Sequence, residues 1–286
     1  MTAVRRRVIV NRDQAEHWNS GEQVARWVAN QAQYDRMLAP FGDLVLAAAA
    51  LQPGDLVLDV GCGCGSTTLA AARAVGHGTA VGVDLSVPML AQARANAASA
   101  GLRNVIFDEG DAQVHRFGRT FDVVVSRFGV MFFADPAAAF ANLRDATRPG
   151  GRLAFACWQP LDANEWLTVT QAALAEHVPP PDPAEPGAPG MFSLAEPARI
   201  RQVLGEAGWR EATVAPSEAP MLVGGGSLED AVAFVATGWL ARSMLDGADA
   251  VTQDRAIGSV RDAFAGRSGP DGVRLGAAVW LVQASA

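Results

Sequence analysis

Between residues 56 and 158 the chain repeats one pattern: a short apolar run ends at a small or acidic residue and gives way to a helical stretch. The runs are LVLDVG from Leu56, GTAVGVDLS from Gly78, NVIFDEGDA from Asn104, FDVVVSRFGVMFF from Phe121 and RLAFACW from Arg152. Apolar residues follow one another in them without strict alternation, as in strands covered on both faces. The segments between them, STTLAAARAVG, VPMLAQARANAASAG and DPAAAFANLRDATRPGG, have helical composition. The second opens at a Ser86 cap with Pro88 in its first turn, and the third runs from a proline to a Pro-Gly stop. Strands alternating with helices of this length predict an α/β chain with a doubly wound, mostly parallel sheet and helices on both faces.

The flanks are less regular. Residues 14–50 read as two helices, the first carrying Val24, Trp27, Val28, Gln31 and Tyr34 on one face, with a break at Pro40 and Gly42 before DLVLAAAAL. Beyond Trp158, WLTVTQAALAEHV is helical, PPPDPAEPGAPG is an extended proline-rich loop, and LAEPARIRQVLGEAGW is helical again. REATVAPSEAPMLV reads as a strand broken by its prolines and GGGS as a joint. LEDAVAFVATGWLARSML and TQDRAIGSVRDAFAG read as two helices, and GVRLGAAVWLVQAS as a closing strand, which brings the expected sheet to seven strands. The sequence contains no internal repeat.

Charge narrows the function classes. Lys and Arg number 23 against 30 acids, a net charge of −7, so the chain lacks the basic footprint of a nucleic-acid binder. The one dense basic run, Arg5 to Arg7, reads as a solvated terminus. No apolar stretch approaches the ~18 residues that span a bilayer. The N-terminal apolar run is also too short for a secretory signal, so a cytoplasmic enzyme acting on small molecules is expected, with no membrane partner. Cys62, Cys64 and Cys157 make no even disulfide framework, and no histidine lies near enough in sequence to complete a metal site, so neither is expected.

The most informative turn is VLDVGCGCGSTT, residues 57–68. A glycine-rich turn that leaves a first strand and enters a helix lets the backbone approach a ligand at the carboxyl edge of a parallel sheet. The dinucleotide pattern G-x-G-x-x-G fails in both registers, ending at Ser66 from Gly61 and at Thr68 from Gly63. What stands instead is Asp59, Gly61, Gly63 and Gly65 at alternate positions. An acid two residues ahead of the first glycine suits an ammonium group and would repel a pyrophosphate.

This stretch resembles the first motif of class I S-adenosylmethionine-dependent methyltransferases, and further segments resemble that family in order across residues 50–160: VGVDLS, EGDAQ, FDVVVSRFGVMFF and LRDATRPGGRLAFACW. The resemblance implies a Rossmann-like fold and S-adenosylmethionine as cofactor. It implies that Asp84 takes the ribose hydroxyls, that Asp111 accepts from the adenine amino group and that the Ala112 amide faces the ring. Leu85, Met89, Ser126 and Arg127 are further cofactor candidates, and Cys62 and Cys64 are small spacers between the glycines. WNSGEQVARWVANQAQYDRMLAPFG resembles a subgroup related to the quinone-biosynthesis C-methyltransferases, which implies an N-terminal helical lid touching the cofactor through Trp27 and Gln31. The expected division is therefore a lid over 1–45, a cofactor-binding core over 46–160, and a substrate-covering helical insertion with the last strands over 161–286.

Methyl transfer from a sulfonium is an in-line displacement in which the protein chiefly aligns the reactants. A base is needed only when the acceptor arrives protonated. None is assignable from sequence: His17 and Tyr34 are the candidates in the lid, while His77, His115 and His177 read as turn, loop and helix-end residues. Arg127 reads equally well as a binder of an acidic substrate or as the partner of a nearby acid. His17, Trp18, Tyr34, Phe128, Trp158, Met191, Phe192 and Trp239 are the candidates for an aromatic, methionine-lined acceptor pocket. The expected reaction is methylation of an oxygen, nitrogen or carbon of a small hydrophobic metabolite, by a chain that could also pair as a homodimer. The alternatives are a cofactor-binding protein of this fold that does not methylate, for instance one that guides a cyclisation, and a nicotinamide-dependent oxidoreductase.

Overall fold

A computed structural model of the chain describes residues 8–180 and 187–286, without the side chains of Glu22 and Gln23. The Arg5–Arg7 cluster and the middle of the proline-rich loop lie outside the described residues. The elements run α1 (Arg12–Asn19), α2 (Glu22–Ala29), α3 (Gln31–Ala49), β1 (Leu56–Val60), α4 (Ser66–Val75), β2 (Thr79–Asp84), α5 (Val87–Ser99), β3 (Val105–Glu109), β4 (Phe121–Arg127), α6 (Pro136–Asp145), β5 (Thr147–Trp158) and α7 (Glu165–Ala175). They continue with α8 (Pro197–Glu206), β6 (Arg210–Val223), α9 (Leu228–Ala236), α10 (Trp239–Leu245), α11 (Ala250–Ala265), β7 (Ser268–Gly269) and β8 (Gly272–Ser285).

One sheet carries the strands in the order β3-β2-β1-β4-β5-β8-β6. The pairings from β3 through β5 are parallel, whereas β8 runs antiparallel to both β5 and β6. The seven expected strands are all present, and the two-residue β7 adds an eighth by pairing with the start of β8. Val57, Leu58, Val81, Val83, Val123, Val124 and Phe155 are fully buried or nearly so, which is why the central strands read as continuous apolar runs. Ser86 caps α5 through its side chain, as the sequence pattern predicts, and Asp135 does the same for α6 ahead of its opening proline.

Three expectations fail at the flanks. The N-terminal region forms three helices, and Pro40 and Gly42 lie inside the continuous α3. The chain breaks earlier, at Asn30, whose side-chain amide donates to the Arg26 carbonyl. Met37, Leu38, Phe41, Val45 and Ala49 form a buried stripe on α3 against β4 and β5. Burying such side chains is worth about 1.5–3 kcal/mol each, enough to outweigh the roughly 3 kcal/mol penalty of an interior proline. The strand containing Pro216 and Pro220 is not broken: β6 pairs with β8 through both prolines. As the edge strand it has one side without a neighbour, where a missing N–H costs no ladder bond. Finally, LEDAVAFVATGWLARSML is two helices, α9 and α10, because Gly238 turns into an extended conformation between them.

The core is layered. The main cluster joins α3, the sheet, α6 and α8. A second cluster of Leu167, Leu174, Val232, Leu240, Met244, Val260 and Phe264 gathers α7, α9, α10 and α11 around the start of β8. None of the described helices is long and apolar enough to cross a membrane.

Candidate functional site

The carboxyl ends of β1, β2 and β4 meet where the strand order reverses, beside β1, the place where open α/β sheets leave a crevice. The turn after β1 is built from left-handed glycines, with φ of +67° at Gly61, +53° at Gly63 and +88° at Gly65. The Gly61 and Cys62 amides both donate to the Val83 carbonyl, tying the turn to β2. A Cβ on Gly61 would stand 2.6 Å from the Gly129 Cα, so the turns after β1 and β4 touch backbone to backbone. Phe128, in left-handed geometry at φ +66°, redirects the chain there and stacks its ring on Trp158 at 4.1 Å.

A cavity of about 1090 Å³ opens over these turns. It is lined by Gly61, Cys62, Gly63, Asp84, Leu85, Met89, Asp111, Ala112, Arg127 and Trp27 of the cofactor candidates. All eight acceptor candidates, His17, Trp18, Tyr34, Phe128, Trp158, Met191, Phe192 and Trp239, line the same cavity. Trp27 and Tyr34 stack in it at 3.9 Å, with Phe234 edge-on to Tyr34. His17 stands exposed on α1, edge-on to Trp18.

The other candidates do not line the cavity. Asp59 is 1% exposed and accepts from Thr68 Oγ1 at 2.6 Å behind the turn. Gly65 caps α4, where a Cβ would press on Phe107 and Ala93. Ser126 donates to the Val60 carbonyl and accepts from the Gly129 amide, bracing one turn on the other. Gln31 lies behind Asp35, to which it donates at 2.9 Å. Among the remaining histidines, His115 packs on Phe117, His177 bonds Ser259, and His77 abuts Gly54.

Two carboxylates at the cavity are held by backbone. Asp84 accepts from the Gly63 amide on one oxygen and from the Ser86 amide on the other, both at 2.8 Å. Burial pushes its pKa above the usual carboxylate range despite those bonds. Asp111 accepts from the Val10 and Asn11 amides on Oδ2, and from the Asn11 side chain and the Gln113 amide on Oδ1. Those four donors match the four lone-pair sites of a carboxylate. Asn11 also accepts from the Ala134 amide, and at the other end of α1, Asn19 donates to the Leu85 carbonyl and accepts from the Val87 amide. Sequence reasoning missed both asparagines, since an Asn beside a helix reads as a cap. It also missed Asp35, one residue beyond Tyr34, which lines the cavity next to Arg127.

Burial raises the thiol pKa of all three cysteines, to about 12 at Cys64, so each stays protonated at neutral pH. Cys62 and Cys64 are small buried residues of the turn, and a Cβ on Gly82 of β2 would fall 2.7 Å from Cys62 Sγ.

Residues 57–151 match a family described as a methyltransferase domain. The chain is 33% identical over 162 residues to the aklanonic acid methyltransferase DauC of Streptomyces sp. (strain C5), covering 52% of this chain and 74% of that protein. It is 32% identical over 170 residues to the nocamycin O-methyltransferase of Saccharothrix syringae, covering 56% of this chain and 61% of the other. Among solved structures, the YcgJ protein of Bacillus subtilis superposes with a TM-score of 0.54 at 18% identity, covering 86% of this chain and 98% of that one, a likeness of fold.

Proposed function

Because the chain belongs to the class I S-adenosylmethionine-dependent methyltransferases, we propose that it methylates an ionised oxygen of a small, flat, apolar acceptor in specialised metabolism. The residues at the turn fit the cofactor. Gly63 lines the cavity in left-handed geometry, and a Cβ there would meet nothing nearer than Met89 Sδ at 3.8 Å, which leaves its backbone open to a ligand. Asp84 beside it supplies a carboxylate suited to paired hydroxyls. In this reading Asp84 holds the ribose and the Ala112 amide faces the adenine. Asp111, its lone pairs already taken, holds α1 across that end of the cavity as a lid. Once bound, S-adenosylmethionine supplies an electrophilic methyl group together with its own leaving group.

The protein's share is alignment and exclusion of water. The observation that carries the acceptor class is the aromatic wall, with the stacked pairs Phe128–Trp158 and Trp27–Tyr34 facing one cavity. Flat rings bind well between such faces. Burial raises the Tyr34 pKa, so its hydroxyl keeps its proton at neutral pH, and His17 is an exposed residue at the cavity's edge on α1. This placement suits an acceptor that ionises without help, a carboxylic acid or acidic phenol. The names of the two relatives, an acid methyltransferase and an O-methyltransferase, support the same class.

The test is a panel of aromatic carboxylic acids, acidic phenols, amines and neutral alcohols offered with labelled methyl donor. Label is expected in the acids and acidic phenols, with rates following the ionised fraction of acceptor. Label confined to amines or carbon centres would overturn the oxygen assignment. Asp84→Ala should weaken S-adenosylhomocysteine binding by about 1–3 kcal/mol through lost charge-assisted bonds, read by calorimetry. Unchanged affinity would remove the ribose assignment.

A further inference from the structure

Asp35 and Arg127 stand side by side in the cavity wall as an incomplete ion pair. Asp35 Oδ1 lies 3.9 Å from the nearest guanidinium nitrogen of Arg127, too far for a hydrogen bond. Both residues line the cavity, with 14% of the Arg127 side chain and 31% of that of Asp35 exposed. Among the described residues the half-buried guanidinium has no hydrogen-bond acceptor, which leaves its five donors to the cavity. The Arg127 side chain lies along α3 beside Gly42, where a Cβ would stand in ordinary contact with it at 3.6 Å.

The acid is positioned with equal care. Gln31 donates to Asp35 Oδ2, Asn96 donates to Gln31 Oε1, and the same Asn96 amide donates to the Cys64 carbonyl of the glycine turn. A hydrogen-bonded relay thus fixes Asp35 to the turn and leaves its other oxygen toward Arg127. Burial lowers the Arg127 pKa, and Asp35, Asp59 and Asp43 oppose this only in part.

We propose that Asp35 and Arg127 are a clamp for the amino-acid end of the cofactor, Asp35 taking the α-ammonium and Arg127 the α-carboxylate. The assignment rests on the cofactor reading above and transfers the ammonium-binding role from Asp59, which is sealed behind the turn, to an acid on α3. Electrostatics select this ligand. A lone anion on Arg127 would sit beside the Asp35 carboxylate, and a lone cation on Asp35 beside the guanidinium. An α-amino acid brings both charges on one carbon and meets each with its opposite. Gln31 is a positioning residue acting through Asp35.

The experiment compares two probes by calorimetry: S-adenosylhomocysteine, which carries the amino-acid end, and 5′-methylthioadenosine, which lacks it. The wild-type chain should prefer the former, and Asp35→Asn and Arg127→Gln should each weaken it about 10- to 100-fold, the range for hydrogen bonds to charged groups, while leaving methylthioadenosine binding unchanged. Asp35→Asn keeps an oxygen for Gln31 and preserves the relay. Equal wild-type affinity for the two probes overturns the clamp without recourse to any variant. Loss of both probes in equal proportion also overturns it, since that marks a general structural role. Failure of the wild-type chain to bind either probe removes the cofactor reading itself, an outcome distinct from failure of the clamp.

Discussion

At the scale of single residues, the turn after β1 separates what a motif announces from what its atoms do. Asp59 stands where an acid is expected beside a ligand, yet its carboxylate is enclosed and its pKa rises to about 7, mainly through burial, against the Thr68 bond and the Arg127 charge. A carboxylate with a folded pKa above its unfolded value binds a proton in the native state that the unfolded chain has released. Stability therefore falls as pH rises from about 4, the unfolded value, to about 7, and levels off above that. Asp59→Asn abolishes this titration. Relative to wild type, the variant should gain stability as pH is raised from 5 to 8, measured by urea denaturation at each pH. A constant difference across that range would show that Asp59 stays ionised throughout. The spacing of Gly61, Gly63 and Gly65 was legible in sequence because each needs a backbone geometry that glycine adopts without strain. The burial of Asp59 was not, because it depends on Thr68 and on strands distant in the chain.

At the scale of elements, α3 shows a local rule yielding to packing. Pro40 removes one helical hydrogen bond, the one its amide would give to the Arg36 carbonyl, yet the helix continues because its buried stripe lies along the sheet. Restoring that bond with Pro40→Ala should raise stability by up to about 3 kcal/mol, read from the denaturant midpoint at unchanged m-value. No gain would mean that the Arg36 carbonyl already has a partner or that the proline's restriction of the unfolded chain cancels the effect. The persistence of α3 matters beyond stability. Asp35 in its first turns and Gly42 farther along, where Arg127 lies against the helix, belong to one continuous element, so the acid and the resting place of Arg127 are set by a single helix. The continuous β6 follows the same logic: prolines that break an interior strand are harmless at an edge.

At the scale of the whole molecule, the sheet and the helices after β5 divide the cavity between them. The turns of β1, β2 and β4 form one side, while Met191, Phe192, Phe234 and Trp239 from the later segments form the other. The later helices have their own apolar cluster around Phe264, which is fully buried. Phe264→Ala should therefore cost about 3–5 kcal/mol of stability, seen as a lowered Tm. S-adenosylhomocysteine affinity should stay unchanged, because no residue of the glycine turn touches that cluster. A parallel loss of affinity would show that the two clusters act as one unit.

The alternation of apolar runs and helices carried the fold class, and the resemblance of the glycine turn and the strand-end acids to a known family carried the cofactor, because both are written in a few consecutive residues. The contacts that complete the site join residues far apart in the chain: Asp111 with Asn11, Asp35 with Arg127, Phe128 with Trp158. Periodicity cannot report which of two distant segments meet. The partners of those acids, the single cavity behind eight scattered candidates and the charged pair in its wall were settled only when packing of α3 and the later helices against the sheet brought them together.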